Sequence, residues 1–278
     1  MSGSPFTLEY IVDGNPVGRP LVLLNSLEYP GWPPAEFCRF AGERGFCVYA
    51  IRRPGFGNNV PLADAAHQAD IVEAFLEREM LHGAVVVCTG TSNPVGFRLA
   101  FETSAISLLV FSCCMFNYDA MADIRPDWLA RSLRQALTSD TGARLTLMGL
   151  DSSWAVFSPR WVHENLAKGS AGDLDYIRAN DALLLEALED LYYNLEPPTF
   201  QFELAQTLNP DPVLEDGLFR NVRALAFSGI ETPPSWQDGI GAETGRLGLP
   251  LVFLPSGDYF AMYQSAGAFL DGIQGHLP

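Results

Sequence analysis

Val85-Val86-Val87-Cys88-Thr89-Gly90-Thr91-Ser92-Asn93-Pro94-Val95-Gly96 is the stretch that decides how this chain folds. Its first four residues are apolar with no polar alternation, the pattern of a strand buried on both faces. Gly90 to Asn93 are small or turn-forming, and Pro94 fits the first turn of a helix, where its missing N–H has no partner to lose. The expected order is buried strand, sharp turn, helix.

Reading outward on the N-terminal side, Leu21 to Leu24 and Phe46 to Ile51 are further apolar runs of strand length. Between them, Ala35 to Arg44 has helical spacing and stops at Gly45, a fitting C-cap. Asp64 to Glu79 places Ile71, Phe75 and Leu76 on one helical face with charges between them. On the C-terminal side, Val95 to Thr103 reads as a helix and Ile106 to Cys113 as another buried strand. Strands alternating with helices predict an α/β fold with a mostly parallel central sheet covered on both faces.

From Asp119 the pattern changes. Trp128 to Leu137, Arg160 to Leu166 and Asp181 to Leu195 read as helices, with no strand of comparable strength between them. Asn209-Pro210-Asp211-Pro212 is a turn-rich close, after which strands resume at Ala224 to Phe227 and Leu251 to Leu254. The expected organisation is a core of residues 1–118 and 222–278 carrying an all-helical cap at 119–221. The insertion's aromatics (Trp128, Trp154, Phe157, Trp161, Tyr192, Tyr193) are expected mostly in its core, with a minority lining a pocket.

The composition narrows the function. With 48% hydrophobic residues in 278, the chain lies outside the disordered range. Seventeen basic against thirty-three acidic residues give a net charge of -16, which repels phosphate backbones and argues against nucleic acid. The longest apolar run, Ala105 to Phe116, is short of a membrane span, and Met1 to Tyr10 has no basic segment leading into an apolar one. A cytoplasmic protein is expected, with a small molecule as partner, no membrane association, and a homodimer allowed. Cys38, Cys47, Cys88, Cys113 and Cys114 lack C-x-x-C spacing, and His67, His82, His163 and His276 are scattered, so neither a metal nor a cofactor is expected.

Gly90-Thr91-Ser92-Asn93-Pro94 after its strand resembles the G-x-S-x-G nucleophile elbow of the α/β-hydrolase superfamily, in its capped, esterase- and lipase-like branch. Two more segments are similar to that family. Ile51-Arg52-Arg53-Pro54-Gly55-Phe56-Gly57 matches a D-R-x-G-x-G type turn without its aspartate, and Leu23-Leu24-Asn25-Ser26-Leu27 stands where the family usually shows His-Gly. The resemblance implies Ser92 as nucleophile on a strained turn with positive φ. It also implies oxyanion donors from the backbone of Asn93 and of Ser26 or Leu27, beside Asn25. Pro250 to Phe260 is similar to the last strand and its loop, which puts Asp258 where the family has its histidine. Glu231 then falls near the acid position, and Asp119 at the other acid position the family uses.

That departure weakens the chemistry, because an aspartate with an ordinary pKa of about 3.9 is a poorer base for a serine than an imidazole near 6.5. The degenerate triad implies a capped pocket near Ser92, Asn25 and Asp258 for a small, partly apolar molecule. Serine hydrolysis is then lost or weak, leaving a binding protein or a non-hydrolytic enzyme. The alternatives are a divergent esterase-like hydrolase using Ser92 and a structural subunit whose cap binds another protein. Arg52 and Arg53 serve either a substrate carboxylate or internal pairing.

Overall fold

The computed structural model describes residues 8–27, 29, 31–101, 105–114, 116, 126–157, 159–209 and 211–278. Seven strands build one sheet: β1 (Tyr10–Gly14), β2 (Arg19–Leu24), β3 (Phe46–Ile51), β4 (Ala84–Thr89), β5 (Ile106–Ser112), β6 (Ala224–Gly229) and β7 (Leu251–Leu254). Their order is β1-β3-β2-β4-β5-β6-β7. Only β1, at one edge, runs antiparallel, pairing Tyr10 with Ile51 and Gly14 with Cys47. The other neighbours are parallel, including Leu24 with Cys88 across β2 and β4.

The alternation of side chains along β4 explains why its run is apolar throughout. Val86 and Cys88 point into one core, with Phe75, Phe97, Phe111 and Leu247, while Val85 and Val87 point into the other, with Phe37, Phe227 and Phe269. The first face is covered by α2 (Ala65–Arg78), α3 (Asn93–Leu99) and α10 (Pro234–Leu247), and the second by α1 (Ala35–Glu43) and α12 (Ala266–His276). Asp64 starts α2 as expected, its carboxylate accepting from the His67 N–H at 2.9 Å. Gly96 lets α3 settle onto the sheet, since a Cβ there would stand 2.6 Å from the Phe111 ring and 2.7 Å from Cys88 Sγ.

The insertion is helical: α4 (Asp127–Leu137), α5 (Asp140–Phe157), α6 (Pro159–Leu166), α7 (Ala171–Ala179), α8 (Asp181–Asn194) and α9 (Pro197–Leu208). Of these, α5, α7 and α9 are not legible as helices in the sequence reading. After β7 the chain closes with two helices, α11 (Ala261–Gln264) and α12, divided at Ser265. Helix α9 packs on the turn after β4, and α7 on α11. Trp128 and Trp161 are exposed, whereas Trp154, Phe157, Tyr192 and Tyr193 have side chains outside the described residues. No described helix is long and apolar enough to cross a membrane.

Candidate functional site

Strand order reverses between β2 and β4: from β2 the chain steps to β3 on one side, then crosses to β4 on the other. In open α/β sheets the crevice beyond the strands' carboxyl ends at such a switch point is where ligands bind. The loop Asn25–Leu27 and the turn Gly90–Ser92 meet there, the Leu27 N–H donating to Thr91 Oγ1.

The turn itself has a different register from the one expected. Positive φ falls on Gly90, at 49°, whereas Ser92 has φ -85° and ψ -8° inside a short 3₁₀ turn leading into α3. The strained position that presents a nucleophile is therefore occupied by a residue with no side chain. Ser92 is fully buried, and its hydroxyl donates to the Thr89 carbonyl at 2.8 Å and accepts from the Thr89 N–H at 2.6 Å. The expectation of a strained Ser92 is thus corrected. A serine two residues past the bend has already entered helical geometry, so its side chain folds back on the strand end.

Two of the expected oxyanion donors are likewise engaged. The Asn93 N–H donates to the Gly90 carbonyl, and the Leu27 N–H to Thr91 Oγ1 at 2.8 Å. Ser26 is buried, with its hydroxyl accepting from the Tyr29 N–H at 3.3 Å.

Joining the Asn25 loop to the turn after β4 is Arg53, with 0% of its side chain exposed. Its Nε donates to the Asn25 carbonyl at 2.7 Å, and its N–H to Asn25 Oδ1 at 2.7 Å. Its two Nη atoms grip Glu203 of α9 in a bidentate pair at 3.0 and 2.7 Å, with Gln68 and Thr91 completing the shell. Glu203 is also 0% exposed. Sequence reading left Arg53 open between substrate and internal pairing, and it missed Glu203 because a lone acid between Phe202 and Leu204 carries no sign of its partner. Arg52 pairs instead with Glu9 at 3.3 Å and covers the Trp32 ring.

The two acids of the C-terminal half hold other parts of the insertion. Glu231 accepts from the Gly172 N–H at 2.8 Å, the Ser170 hydroxyl at 3.0 Å and the Gly257 N–H at 3.1 Å, fastening the start of α7 to the loop after β7. The N–H bonds from Gly172 and Gly257 hold its carboxyl below the usual range. Running the other way, buried Asp173 of α7 accepts from the N–H groups of Asp258, Tyr259 and Phe260 at 3.2, 2.8 and 3.2 Å and from the Gln264 amide. Asp258 accepts from the Thr232 hydroxyl at 2.6 Å. Burial pushes the Asp258 carboxyl up against that bond, with the Asp173 and Glu231 charges adding to the rise. No hydrogen bond joins Ser92 to Asp258 among the described residues, and Asp119 lies outside them.

Asp258 and Glu231 have opposite linkage to pH. The raised pKa of Asp258 favours the fold at acid pH, and that contribution fades as pH rises through the folded value; the lowered pKa of Glu231 favours the fold at neutral pH and fades in acid. Asp258→Asn, which keeps the acceptor for Thr232, should raise Tm slightly at pH 7 and give no gain near pH ~4, where aspartate protonates. Thermal melts at both pH values check this; an equal shift at both would remove charge as the cause.

Two concavities border the site. One of about 20 Å³, space for one or two waters, is lined by Asn25, Ser26, Thr89, Trp32 and Tyr263 among others. The other, of about 630 Å³, opens between α1, α7 and the loop after β7, with Phe37, Tyr176, Leu183, Ser256 and Gln264 in its wall. Tyr263 borders both. Among the described residues no group of three or more His, Cys, Asp or Glu side chains could hold a metal ion. His163 of α6 is buried, its pKa pushed down to about 4 by desolvation, and its ring stands edge-on to Phe260. His67, His82 and His276 are exposed.

No protein-family model and no curated protein sequence matches the chain. Its shape, however, is shared over nearly its whole length. A bromoperoxidase from Bacillus anthracis superposes with TM-score 0.65 at 14% identity, covering 98% of this chain and 96% of its own. An enol-lactonase from Burkholderia xenovorans gives 0.64 at 15%, covering 99% and 98%. An alpha/beta hydrolase fold protein from Nakamurella multipartita gives 0.61 at 18%, covering 97% and 95%. The chain has the α/β-hydrolase fold. At such identities the α/β-hydrolase likeness concerns backbone shape, and function must be argued from the site.

Proposed function

We propose that this protein is a non-hydrolytic user of the α/β-hydrolase fold that binds a small, partly apolar molecule between its helical cap and its core. The observation that carries this reading is Gly90 at the positive-φ position of the turn, with the Ser92 hydroxyl spent on the Thr89 backbone. Acyl transfer needs an exposed nucleophile, a base within reach of its proton and free donors for the oxyanion. Here the nearest serine is buried, the Leu27 and Asn93 N–H groups are engaged, and Asp258 bonds to Thr232. The seam concavity, walled by Phe37, Tyr176 and Leu183 with Ser256 and Gln264, suits an amphipathic small molecule.

A fluorophosphonate probe with mass-spectrometric readout tests the reading. Labelling should stay near the level of an unfolded control, and hydrolysis of 4-nitrophenyl acetate near background. Ser92→Ala should leave both unchanged while costing about 1 kcal/mol of stability, for the loss of its two bonds to Thr89. Stoichiometric labelling at Ser92 that disappears in the alanine variant would restore the divergent-esterase reading.

A further inference from the structure

The ion pair in the crevice has the form of a receptor and its ligand. Arg53 belongs to the turn after β3, and its partner Glu203 arrives from the inserted helix α9, 150 residues along the chain. Two nearly parallel N–H···O bonds, of 3.0 and 2.7 Å, form the fork-to-carboxylate geometry that proteins use to recognise free carboxylates. The cradle is furnished independently of Glu203: Gln68 and Asn25 accept from the guanidinium and fix its plane, while the Phe56 ring lies 5.1 Å from its carbon. Two polar atoms in the same wall are buried without partners, Asn25 Nδ2 on the core side and Thr199 Oγ1 on α9. A buried polar atom without a partner costs free energy, and a polar ligand group seated in this wall would supply one. Stability gives little reason for the pair itself, since a buried ion pair is seldom better than apolar packing of the same volume.

We propose that Arg53, with Gln68 and Asn25, is the binding site for the carboxylate of a small organic acid, and that Glu203 is an internal occupant which the acid replaces as α9 lifts. This goes beyond the preceding reading: Arg53, Gln68 and Glu203 line neither concavity, so the acid takes a place of its own beneath α9. The exchange is close to neutral at Arg53, one carboxylate for another, so the incoming acid must gain its affinity from apolar contacts of its body and from hydration of the released Glu203.

Phenylacetate is a suitable probe, with 2-phenylethanol and 2-phenylethylamine as neutral and cationic counterparts. Glu203→Gln keeps the hydrogen-bonding outline and removes the competing charge. In calorimetric titration it should bind phenylacetate roughly tenfold more tightly than the wild type, with no comparable binding of the alcohol or amine. In the wild type, phenylacetate should speed amide exchange in α9. If the glutamine variant does not fold, the wild-type titration and exchange data decide alone. Equal binding of acid and alcohol, no binding of the acid at about 10 mM, or binding without any change in α9 each overturns the proposal. Loss of the non-hydrolytic reading would show separately as covalent phosphonate labelling, which carboxylate binding does not produce.

Discussion

Glu203→Ala should lower stability by about 3–5 kcal/mol, the cost of leaving a buried charge without its partner. Arg53 is wholly enclosed, so after the truncation its guanidinium keeps only the neutral oxygens of Asn25, Gln68 and Thr91. For a chain of this size the loss should appear as a fall in Tm of about 10 °C in calorimetry. Arg53→Met combined with Glu203→Leu should recover most of it, because the double change removes both desolvated charges and fills the space with apolar side chains. A single-variant cost below about 1 kcal/mol would mean that water reaches Arg53 and that α9 does not seal the crevice.

Asp173→Ala should cost about 3 kcal/mol, with a local signature as well as a global one. Its carboxylate collects three successive backbone N–H groups, from Asp258 to Phe260, together with the Gln264 amide. Without it those donors are left in a partly buried loop, and α7 loses one of its hydrogen-bonded fastenings to the core. Hydrogen exchange should accelerate at the amides of residues 258–260 by more than at β6. Asp173→Asn, retaining one acceptor oxygen, should cost less than the alanine. Unchanged protection of those amides in Asp173→Ala would show that the loop is held from elsewhere, for which Glu231 on the Gly257 N–H is the candidate.

Much of the core was legible because its signals are local. The apolar run from Val85 to Cys88 has no polar alternation since both of its faces are covered, and Asp64 and Gly45 mark helix ends through caps made within a few residues. The insertion was harder to read. Helix α5 contains Gly142 and Gly149 along with paired serines, and α9 begins with Pro197 and Pro198, all of which weaken helix signals that tertiary packing overrides. The edge strand β1 is only partly buried, and its apolar residues stop at Val12 before Asp13-Gly14, too short a run to stand out.

By itself the sequence determined the layered α/β architecture, the place of the helical insertion and the convergence of the β2 and β4 loops, because periodicity and chain order suffice for these. It also shows that no histidine follows the last strand except near the chain end. Only the tertiary structure decided the register of the turn after β4. Gly90 and Ser92 both suit a bend, and which one takes positive φ depends on where pairing with β5 ends, at Thr89 opposite Ser112. It alone decided the partners of Arg53, Asp173 and Glu231. Each pairs with a group 26 to 150 residues away, and a charge that will be buried looks the same in a sequence as one that stays in water.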